Sequence, residues 1–169
     1  MKHFQSHHAR GFTLVEMLIY VAILLIVSTA SILFIISLDR LVTQYRIETA
    51  LYRSGSGVLE QVLVGIRQAD SLDALNSVFE NNSAGALALT NGASSTEFVL
   101  ESGQLNLILD GQEYGSLTSD EVTVTDFTVF RHPTAIGDLV RVRLGLSVTL
   151  NGVDKNITLY AGGVIRGSL

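Results

Sequence analysis

Residues 12–38 read FTLVEMLIYVAILLIVSTASILFIISL, a long and almost uninterrupted apolar run. As a helix it would span about 40 Å, against about 30 Å for the hydrocarbon core of a bilayer. Glu16 is its only charged residue, and a charge deep in a bilayer costs about 2.5–3.5 kcal/mol on insertion scales. The stretch therefore predicts a membrane-spanning helix in which Glu16 has a functional role.

The segment that precedes the apolar run is short and basic. Residues 1–11 carry Lys2 and Arg10 and end at Gly11. Positively charged flanks of a membrane helix stay on the cytoplasmic side. We therefore expect residues 1–11 to be a cytoplasmic leader, and the chain after Asp39 to lie on the far side of the membrane.

Helical periodicity continues beyond the apolar run. Over residues 39–69, apolar side chains recur at steps of three and four, and no proline interrupts them. This pattern predicts one helix that continues to about Ala69, membrane-spanning over 12–38 and amphipathic over 39–69. Gly55 and Gly57 each cost about 1 kcal/mol relative to alanine inside a helix. They indicate either a local break or the close approach of a strand.

The remaining residues, 70–169, change to the periodicity of strands. Residues 70–95 are rich in Asn, Ser, Gly and Ala, which predicts a surface connection with a brief helix or an edge strand. Residues 98–109 alternate apolar and polar side chains around Ser102-Gly103. This alternation predicts a β-hairpin.

The clearest strand signal lies over residues 139–150, where alternate positions are apolar. Asn151-Gly152 then favours a two-residue hairpin turn, because both central positions need a positive φ. Residues 122–131 predict a strand pair or one bent strand, which Pro133 breaks. An antiparallel sheet with one apolar face would cover the amphipathic part of the helix. The predicted fold class is therefore α+β, a long N-terminal α-helix packed on a C-terminal antiparallel β-sheet.

Composition argues against several classes of function. The chain has no cysteine, so it has neither a disulfide framework nor a cysteine nucleophile. Its net charge of −5 argues against a nucleic-acid-binding surface. After the leader, His132 is the only histidine, and no serine lies in a Gly-x-Ser-x-Gly elbow. We therefore predict that the protein is not an enzyme and has no catalytic residue, cofactor or metal site.

Two groups of charged residues can be interpreted either as solvated surface residues or as residues that bind a charged partner. Arg141 and Arg143 share the polar face of the strand predicted over 139–150, where we expect a solvated face rather than ion pairs with a neighbour. A set of carboxylates could supply calcium ligands, but no loop has EF-hand spacing, so a solvated acidic loop is the default. These carboxylates are Asp110, Glu113, Asp120, Glu121 and Asp126.

Residues 11–19 read GFTLVEMLI, and with the basic leader and the apolar run they resemble a known motif. It is the processing and assembly motif of type IV pilins and of the pseudopilins of type II secretion and competence systems. The motif combines a terminal glycine, a phenylalanine, a glutamate four residues later and a long apolar helix. The resemblance is close over roughly the first 40 residues and implies a pilin-like fold.

The resemblance also implies roles for three residues. A prepilin peptidase would cut between Gly11 and Phe12 and methylate the new amino group of Phe12. Glu16 would then attract the amino terminus of a neighbouring subunit as the helices pack into a filament. The implied partners are other pilin or pseudopilin subunits, the peptidase, and an assembly platform with its ATPase. The implied location is the cytoplasmic membrane, with the N terminus in the cytoplasm, and then a periplasmic or cell-surface filament.

The kind of subunit is a further question. Major pilins of several classes carry a proline in the membrane half of the helix and a C-terminal cysteine pair, and this chain has neither. We therefore favour a minor pilin or pseudopilin in an initiating or tip complex, with a major pilin as the alternative. Residues 117–130 also look like the outer domain of J-type pseudopilins and W-type minor pilins. Whether the filament serves secretion, DNA uptake, adhesion or twitching depends on partners encoded elsewhere.

Other interpretations of the apolar run are a secretory signal peptide, a plain membrane anchor, and the anchor of an adhesion or binding domain. Ser28-Thr29-Ala30 could pass as a small-residue cleavage site. The apolar run nevertheless continues beyond it through Ile36. A signal peptide leaves Glu16 without a role, and a plain anchor explains neither Glu16 nor the Gly11-Phe12 pair.

Overall fold

The computed structural model describes residues 13–80, 84–134 and 137–165. Among these residues the main elements are one long helix, α1 (Leu14–Gln68), and eight β-strands that follow it. The predicted continuous helix is confirmed over this range. The chain divides into two compact units, which we call the N-terminal unit (Met1–Val42) and the C-terminal unit (Thr43–Leu169).

Within the C-terminal unit, the helix buries one stripe of side chains. The buried positions recur at steps of three and four, as an amphipathic helix requires. They are Thr43, Ile47, Leu51, Gly55, Val58, Leu59, Val62 and Ile66. The helix ends at Gln68. Beyond it the backbone hydrogen-bonds to the first sheet, where Asp70 N–H donates to Thr90 O at 2.9 Å.

The strands form two antiparallel sheets. The first sheet contains, in spatial order, β1 (Ser71–Leu72), β2 (Ala86–Asn91), β3 (Ser94–Glu101), β4 (Gln104–Leu109) and β5 (Gln112–Ser116). The second contains β6 (Thr123–Thr134), β7 (Gly137–Leu150) and β8 (Val153–Ile165), with β7 in the middle. The α+β class is confirmed, but the strands form two sheets where we expected one. The first sheet ends at β5, which is short and pairs with β4 through a register shift.

The helix and both sheets contribute to one hydrophobic core. Phe98 and Leu105 of the first sheet and Phe127 and Leu144 of the second are almost completely buried, and they belong to the same cluster as Leu51 of the helix. Alternate side chains of β7 face this core, which explains the period of two in its sequence. The apolar face predicted for residues 139–150 is therefore confirmed as far as Val148.

The two predicted hairpin turns are confirmed. Ser102-Gly103 joins β3 to β4 with φ values of 51° and 77°, and Asn151-Gly152 joins β7 to β8 with φ values of 52° and 76°. Both central residues of each turn thus occupy the left-handed region that a type I′ turn requires. These short turns set the register of the strands on either side.

The prediction for residues 70–95 was wrong over its second half. We expected a surface connection there, but β2 pairs with both β1 and β3, and Leu87 and Leu89 lie in the core. The signal was weak because Ala86 and Ala88 bring little apolar area. The Gly92-Ala93 turn that joins β2 to β3 was also overlooked.

The prediction that Pro133 breaks its strand was also wrong. β6 is one strand that continues to Thr134, and Pro133 pairs with Asp138 of β7. β6 lies at the edge of its sheet, and an edge strand accepts proline on the side where no ladder hydrogen bond is needed. The bend that we expected in this strand is present as a register shift between Val124 and Asp126.

The helix does not break at its two interior glycines, and they differ from each other. A Cβ atom at Gly55 would clash with Leu159 Cδ1 and lie 2.8 Å from Leu146 Cδ1, so two strands approach the helix closely there. A Cβ atom at Gly57 would meet nothing within 4 Å. The close-approach interpretation is confirmed for Gly55, and nothing in the structure explains Gly57.

Candidate functional site: an exposed apolar helix with one carboxylate

The start of the helix is organised around Thr13 and Glu16. Glu16 N–H donates to Thr13 Oγ1 at 3.3 Å, and Met17 N–H donates to Thr13 O at 3.2 Å. An N-cap threonine satisfies one of the N–H groups that the end of a helix leaves unpaired. The Thr-x-x-Glu spacing is typical of a helix start, a signal that sequence reasoning missed.

The carboxylate of Glu16 has a hydrogen-bond donor one turn along the helix. The Tyr20 hydroxyl donates to Glu16 Oε1 at 3.4 Å. Residues four apart lie on the same side of a helix, so the spacing of Glu16 and Tyr20 in the sequence already allows this contact. A negative charge in the first turn also interacts favourably with the positive end of the helix dipole. Glu16 therefore has local stabilisation within its own chain.

The helix of the N-terminal unit exposes apolar side chains on every face. Leu14 is 83% exposed, and Leu24, in the middle of the run, is 64% exposed. No residue of the most apolar 18-residue window of α1 is buried. Within the described parts of the chain, α1 is the one helix whose length and composition suffice to cross a membrane.

Three hydroxyl side chains of this apolar run are paired with the backbone of their own helix. Thr29, Ser31 and Ser37 each donate a hydroxyl hydrogen bond of 2.8 Å to the carbonyl four residues earlier. An unpaired hydroxyl is costly in an apolar medium, and this backbone pairing removes that cost. These residues are therefore compatible with the apolar surroundings that the rest of the run requires.

The structure places only one of the three predicted site residues. Glu16 lies in the first turn of α1. Gly11 and Phe12, the predicted processing pair, lie outside the described residues, which begin at Thr13.

Three of the five acidic residues that were considered as calcium ligands have separate hydrogen-bond partners. Asp110 accepts the Ser95 N–H at 2.7 Å, Glu113 accepts Asn106 Nδ2 at 3.1 Å, and Asp120 accepts Gln104 Nε2 at 3.2 Å. Within residues 13–80, 84–134 and 137–165, no three His, Asp or Glu side chains are grouped so that they could hold a metal ion. These carboxylates support turns and strand edges.

The prediction of a solvated face at Arg141 and Arg143 was wrong for Arg143. Its Nε atom lies 2.5 Å from Asp126 Oδ2, and its Nη2 atom donates to Thr128 Oγ1 at 3.2 Å. The hydrogen bond from Arg143 to Asp126, together with the charge of that carboxylate, raises the pKa of Arg143. Arg141 instead lies over the ring of Tyr160, 5.2 Å from its centroid.

A cavity of about 460 Å³ opens on the C-terminal unit between the helix and the end of β7. Its lining includes the apolar side chains of Ile47, Ala50 and Val148. Arg46 and Arg53 line it from the helix and are exposed to solvent. We call it the Arg46–Arg53 cavity. Sequence reasoning missed it, because its lining comes from segments about a hundred residues apart.

Comparison with protein families gave a match over the N-terminal part of the chain. Residues 6–32 match the family model described as the prokaryotic N-terminal methylation motif. This motif is the signature of type IV pilins and pseudopilins. Comparison with curated proteins and with solved structures gave no significant match. The motif match includes Gly11, Phe12 and Glu16, and with the apolar helix it fits a single-pass protein anchored in a membrane.

Proposed function

We propose that this type IV pilin-like protein is a minor pilin or pseudopilin that prepilin peptidase cleaves between Gly11 and Phe12. The mature chain then enters a type IV pilus-like filament as part of an initiating or tip complex. The observation that carries the proposal is a helix exposed and apolar on every face, with one carboxylate in its first turn. Such a helix needs either lipid or the helices of other subunits around it.

We propose that the apolar run moves from the bilayer into the core of the filament. Before assembly, residues 12–38 lie in the bilayer, with the leader in the cytoplasm and the C-terminal unit on the far side. On assembly, the same residues enter the core of the filament. The filament contact is heterologous, so each subunit added leaves a free surface for the next one. An assembly platform and its ATPase supply the work of extraction.

The role that we propose for Glu16 is pairing with the amino group of Phe12 on a neighbouring subunit. Cleavage after Gly11 creates this amino group, so assembly depends on processing. In a medium of low dielectric constant the Coulomb attraction is strong, but desolvation of both groups offsets much of it. We therefore assign Glu16 to setting the register of neighbouring helices. Until pairing occurs, the Tyr20 hydroxyl supplies a hydrogen bond to the carboxylate.

The first test is the mature N terminus. We expect mass spectrometry of the chain from its native membrane to find a polypeptide that begins with N-methylated Phe12. Replacing Gly11 with leucine should block cleavage, because a side chain before the cut hinders close approach. A mature chain that retains residues 1–11 contradicts the proposal and favours a plain anchored adhesion or binding domain.

The second test separates processing from assembly. We expect Glu16→Ala to be cleaved normally but to enter filaments roughly tenfold less than wild type, which corresponds to about 1.4 kcal/mol. Asp39→Ala is the matched control, because it removes a carboxylate just beyond the apolar run. Quantitative immunoblots of sheared filaments and of membranes give both values. Equal incorporation of Glu16→Ala and wild type would exclude the proposed pairing.

Subunit counting decides between the minor and the major role. We expect the chain to be a small fraction of the subunits in purified filaments, because it lacks the proline and the cysteine pair common in several classes of major pilin. Quantitative mass spectrometry against labelled peptide standards measures this fraction. A chain that makes up most of the filament mass would be the major pilin.

A further inference from the structure

The turn between β1 and β2 presents one apolar side chain to solvent. Leu75 is 96% exposed, the highest exposure among the large hydrophobic residues described. The chain from residue 70 to residue 80 carries three acidic residues, Asp70, Asp73 and Glu80, and no basic one. We call residues 73–77 the Leu75 turn. It combines an exposed aliphatic tip with a negatively charged base.

Hydrogen bonds hold the Leu75 turn in one conformation. Asp73 Oδ1 accepts the N–H groups of Leu75 and Asn76 at 3.0 and 3.3 Å, and Asp73 Oδ2 accepts Asn76 Nδ2 at 2.7 Å. Ser77 is buried, and its Oγ bonds both the N–H and the carbonyl of Ala88 in β2. Because the turn is already ordered, docking Leu75 on a partner costs little conformational entropy.

The Arg46–Arg53 cavity has the complementary chemistry. Ile47, Ala50 and Val148 give it apolar walls, and its volume of about 460 Å³ exceeds that of a single side chain. Arg46 and Arg53 are two helical turns apart, about 10.5 Å along the axis. Neither belongs to an ion pair within the described residues, where the three pairs are Arg131–Asp138, Arg143–Asp126 and Lys155–Glu48.

The cavity has more positive than negative side chains, whereas the C-terminal unit as a whole has an excess of negative charge. From Thr43 to Leu169 the sequence has eight Lys and Arg against 14 Asp and Glu. Two C-terminal units therefore repel each other over most of their surfaces. The cavity carries two arginines against one carboxylate, Glu121. It is thus a local positive site for an acidic segment that ends in an apolar side chain.

We propose that the Leu75 turn of one copy of this chain docks in the Arg46–Arg53 cavity of a second copy. Leu75 contacts the apolar walls, and Asp73 faces the two arginines. The contact deepens the proposed function and rests on it, because the apolar helices bring the copies side by side. Since the turn and the cavity are different surfaces, each docked copy leaves one of each free. The proposal therefore requires at least two neighbouring copies in the filament complex.

Cysteine cross-linking tests this contact directly, because the wild-type chain has no cysteine. Two differently tagged full-length chains, Leu75→Cys and Ala50→Cys, are produced together in the native assembly system and oxidised mildly. We expect a disulfide-linked dimer that carries both tags. We expect at least fivefold more of it than from Tyr114→Cys with Ala50→Cys, the matched control. Tyr114 is also highly exposed, at 77%, but lies on β5.

A second pair of cysteine variants distinguishes the loss of this contact from the loss of assembly. Two tagged Leu25→Cys chains report whether the apolar helices of two copies meet. If the Leu25 pair forms a dimer and the Leu75–Ala50 pair does not exceed its control, the docking contact is overturned and the proposed function stands. If neither forms, the docking contact is overturned as well, and the position of the mature N terminus then decides the proposed function. A cross-link from Ala50→Cys only to other proteins also overturns the docking contact.

Charge reversal provides the second readout. We expect Arg46→Glu and Arg53→Glu together to lower the yield of the Leu75–Ala50 dimer at least fivefold and to leave the Leu25 dimer unchanged. Arg40→Glu is the control, because Arg40 is an exposed arginine of the same helix outside the cavity. An equal yield from the charge-reversed and wild-type cavities overturns the role of the two arginines and with it the proposed contact.

Discussion

Two stretches of the same helix differ in which of their faces are apolar and in how those faces are covered. Over residues 14–42, apolar side chains cover every face and none of the large ones is buried. Over residues 43–68, one stripe is buried and the other faces carry exposed polar residues. A helix that is apolar all round needs apolar surroundings, whereas an amphipathic helix needs cover on one side only. The second stretch finds its cover within its own chain, and the first must obtain it from lipid or from other subunits.

Substitutions in the two stretches should also have different effects, on stability in one and on assembly in the other. Substitutions in residues 43–68 act on the folding of the C-terminal unit, since the core of that unit includes this stretch. Under the proposed function, substitutions in residues 14–42 act on membrane insertion and subunit packing. Variants of residues 43–68 and of residues 14–42, compared in parallel, test this separation.

The largest expected difference is between two leucines of the helix. Leu51 is fully buried and Leu24 is 64% exposed. We expect Leu51→Ala to lower the free energy of unfolding of the C-terminal unit by about 2–5 kcal/mol, as for other buried leucines. Leu24→Ala should leave it unchanged. Thermal unfolding of the full chain in detergent micelles measures both. Equal losses would contradict the separation of the two stretches.

The second expected difference lies between the two interior glycines. Gly55→Ala should destabilise the C-terminal unit by about 1–3 kcal/mol through overpacking, because the new Cβ atom would meet Leu159 and Leu146. Gly57→Ala should stabilise it by up to about 1 kcal/mol, because alanine is the better helix former and space is available. Unfolding of the two variants in parallel is the measurement. The prediction fails if Gly55→Ala is as stable as Gly57→Ala.

A smaller difference concerns helix hydroxyls. Ser54 Oγ is buried and has no hydrogen-bond partner among the described residues, whereas Ser31 Oγ bonds Val27 O at 2.8 Å. We expect Ser54→Ala to stabilise the C-terminal unit by about 0.5–1 kcal/mol, because it removes an unpaired buried group and improves helix propensity. Ser31→Ala should have no effect on the unfolding of that unit. A loss of stability in Ser54→Ala would show that this hydroxyl has an unseen partner.

The smallest expected effect is local and depends on pH. The side chain of Asn76, followed by the N–H groups of Leu75 and Asn76, donates to Asp73 and lowers its pKa from the ordinary value of 3.8. A lowered pKa in the folded state stabilises the turn above the unfolded pKa, and this stabilisation is lost as pH falls through the folded value. We expect amide protection at Leu75 and Asn76 to fall below about pH 4. The helix amides of residues 14–42 should stay unchanged.

Asp73→Asn is the control for this pH effect. Asparagine keeps an oxygen that can accept the Leu75 N–H, but it does not ionise in this range. Amide hydrogen exchange, corrected for the intrinsic effect of pH, should therefore show no acid-dependent loss in this variant. Identical acid profiles for the variant and wild type would assign the change to another group.

The helix and the best strands were predictable because each has a strong local period. The apolar run and the steps of three and four to Ile66 indicate one helix, and the alternation in β7 before Asn151-Gly152 indicates a hairpin. These signals depend only on neighbours in the sequence. The same holds for the candidate site, where Glu16 stands out as a lone charge and its contact with Tyr20 follows from a four-residue spacing.

Three of the features that sequence reasoning missed depend on residues far apart in the chain. Pro133 is tolerated because β6 lies at a sheet edge, which only the topology reveals. Arg143 meets Asp126 because the register shift of β6 places them together, with Gly145 leaving space for the bulge. The Arg46–Arg53 cavity likewise joins the helix to the end of β7. A local period carries no information on such contacts.

The three hydroxyls of residues 29–37 have an energetic consequence for a subunit that leaves a membrane. Each is already bonded to a carbonyl of its own helix, so transfer from lipid to a bundle of helices neither breaks nor forms a hydrogen bond at these residues. Both environments are apolar, and the transfer therefore exchanges one set of dispersion contacts for another. Under the proposed function, these three hydroxyls therefore favour neither the membrane nor the filament, and they do not oppose withdrawal of the helix.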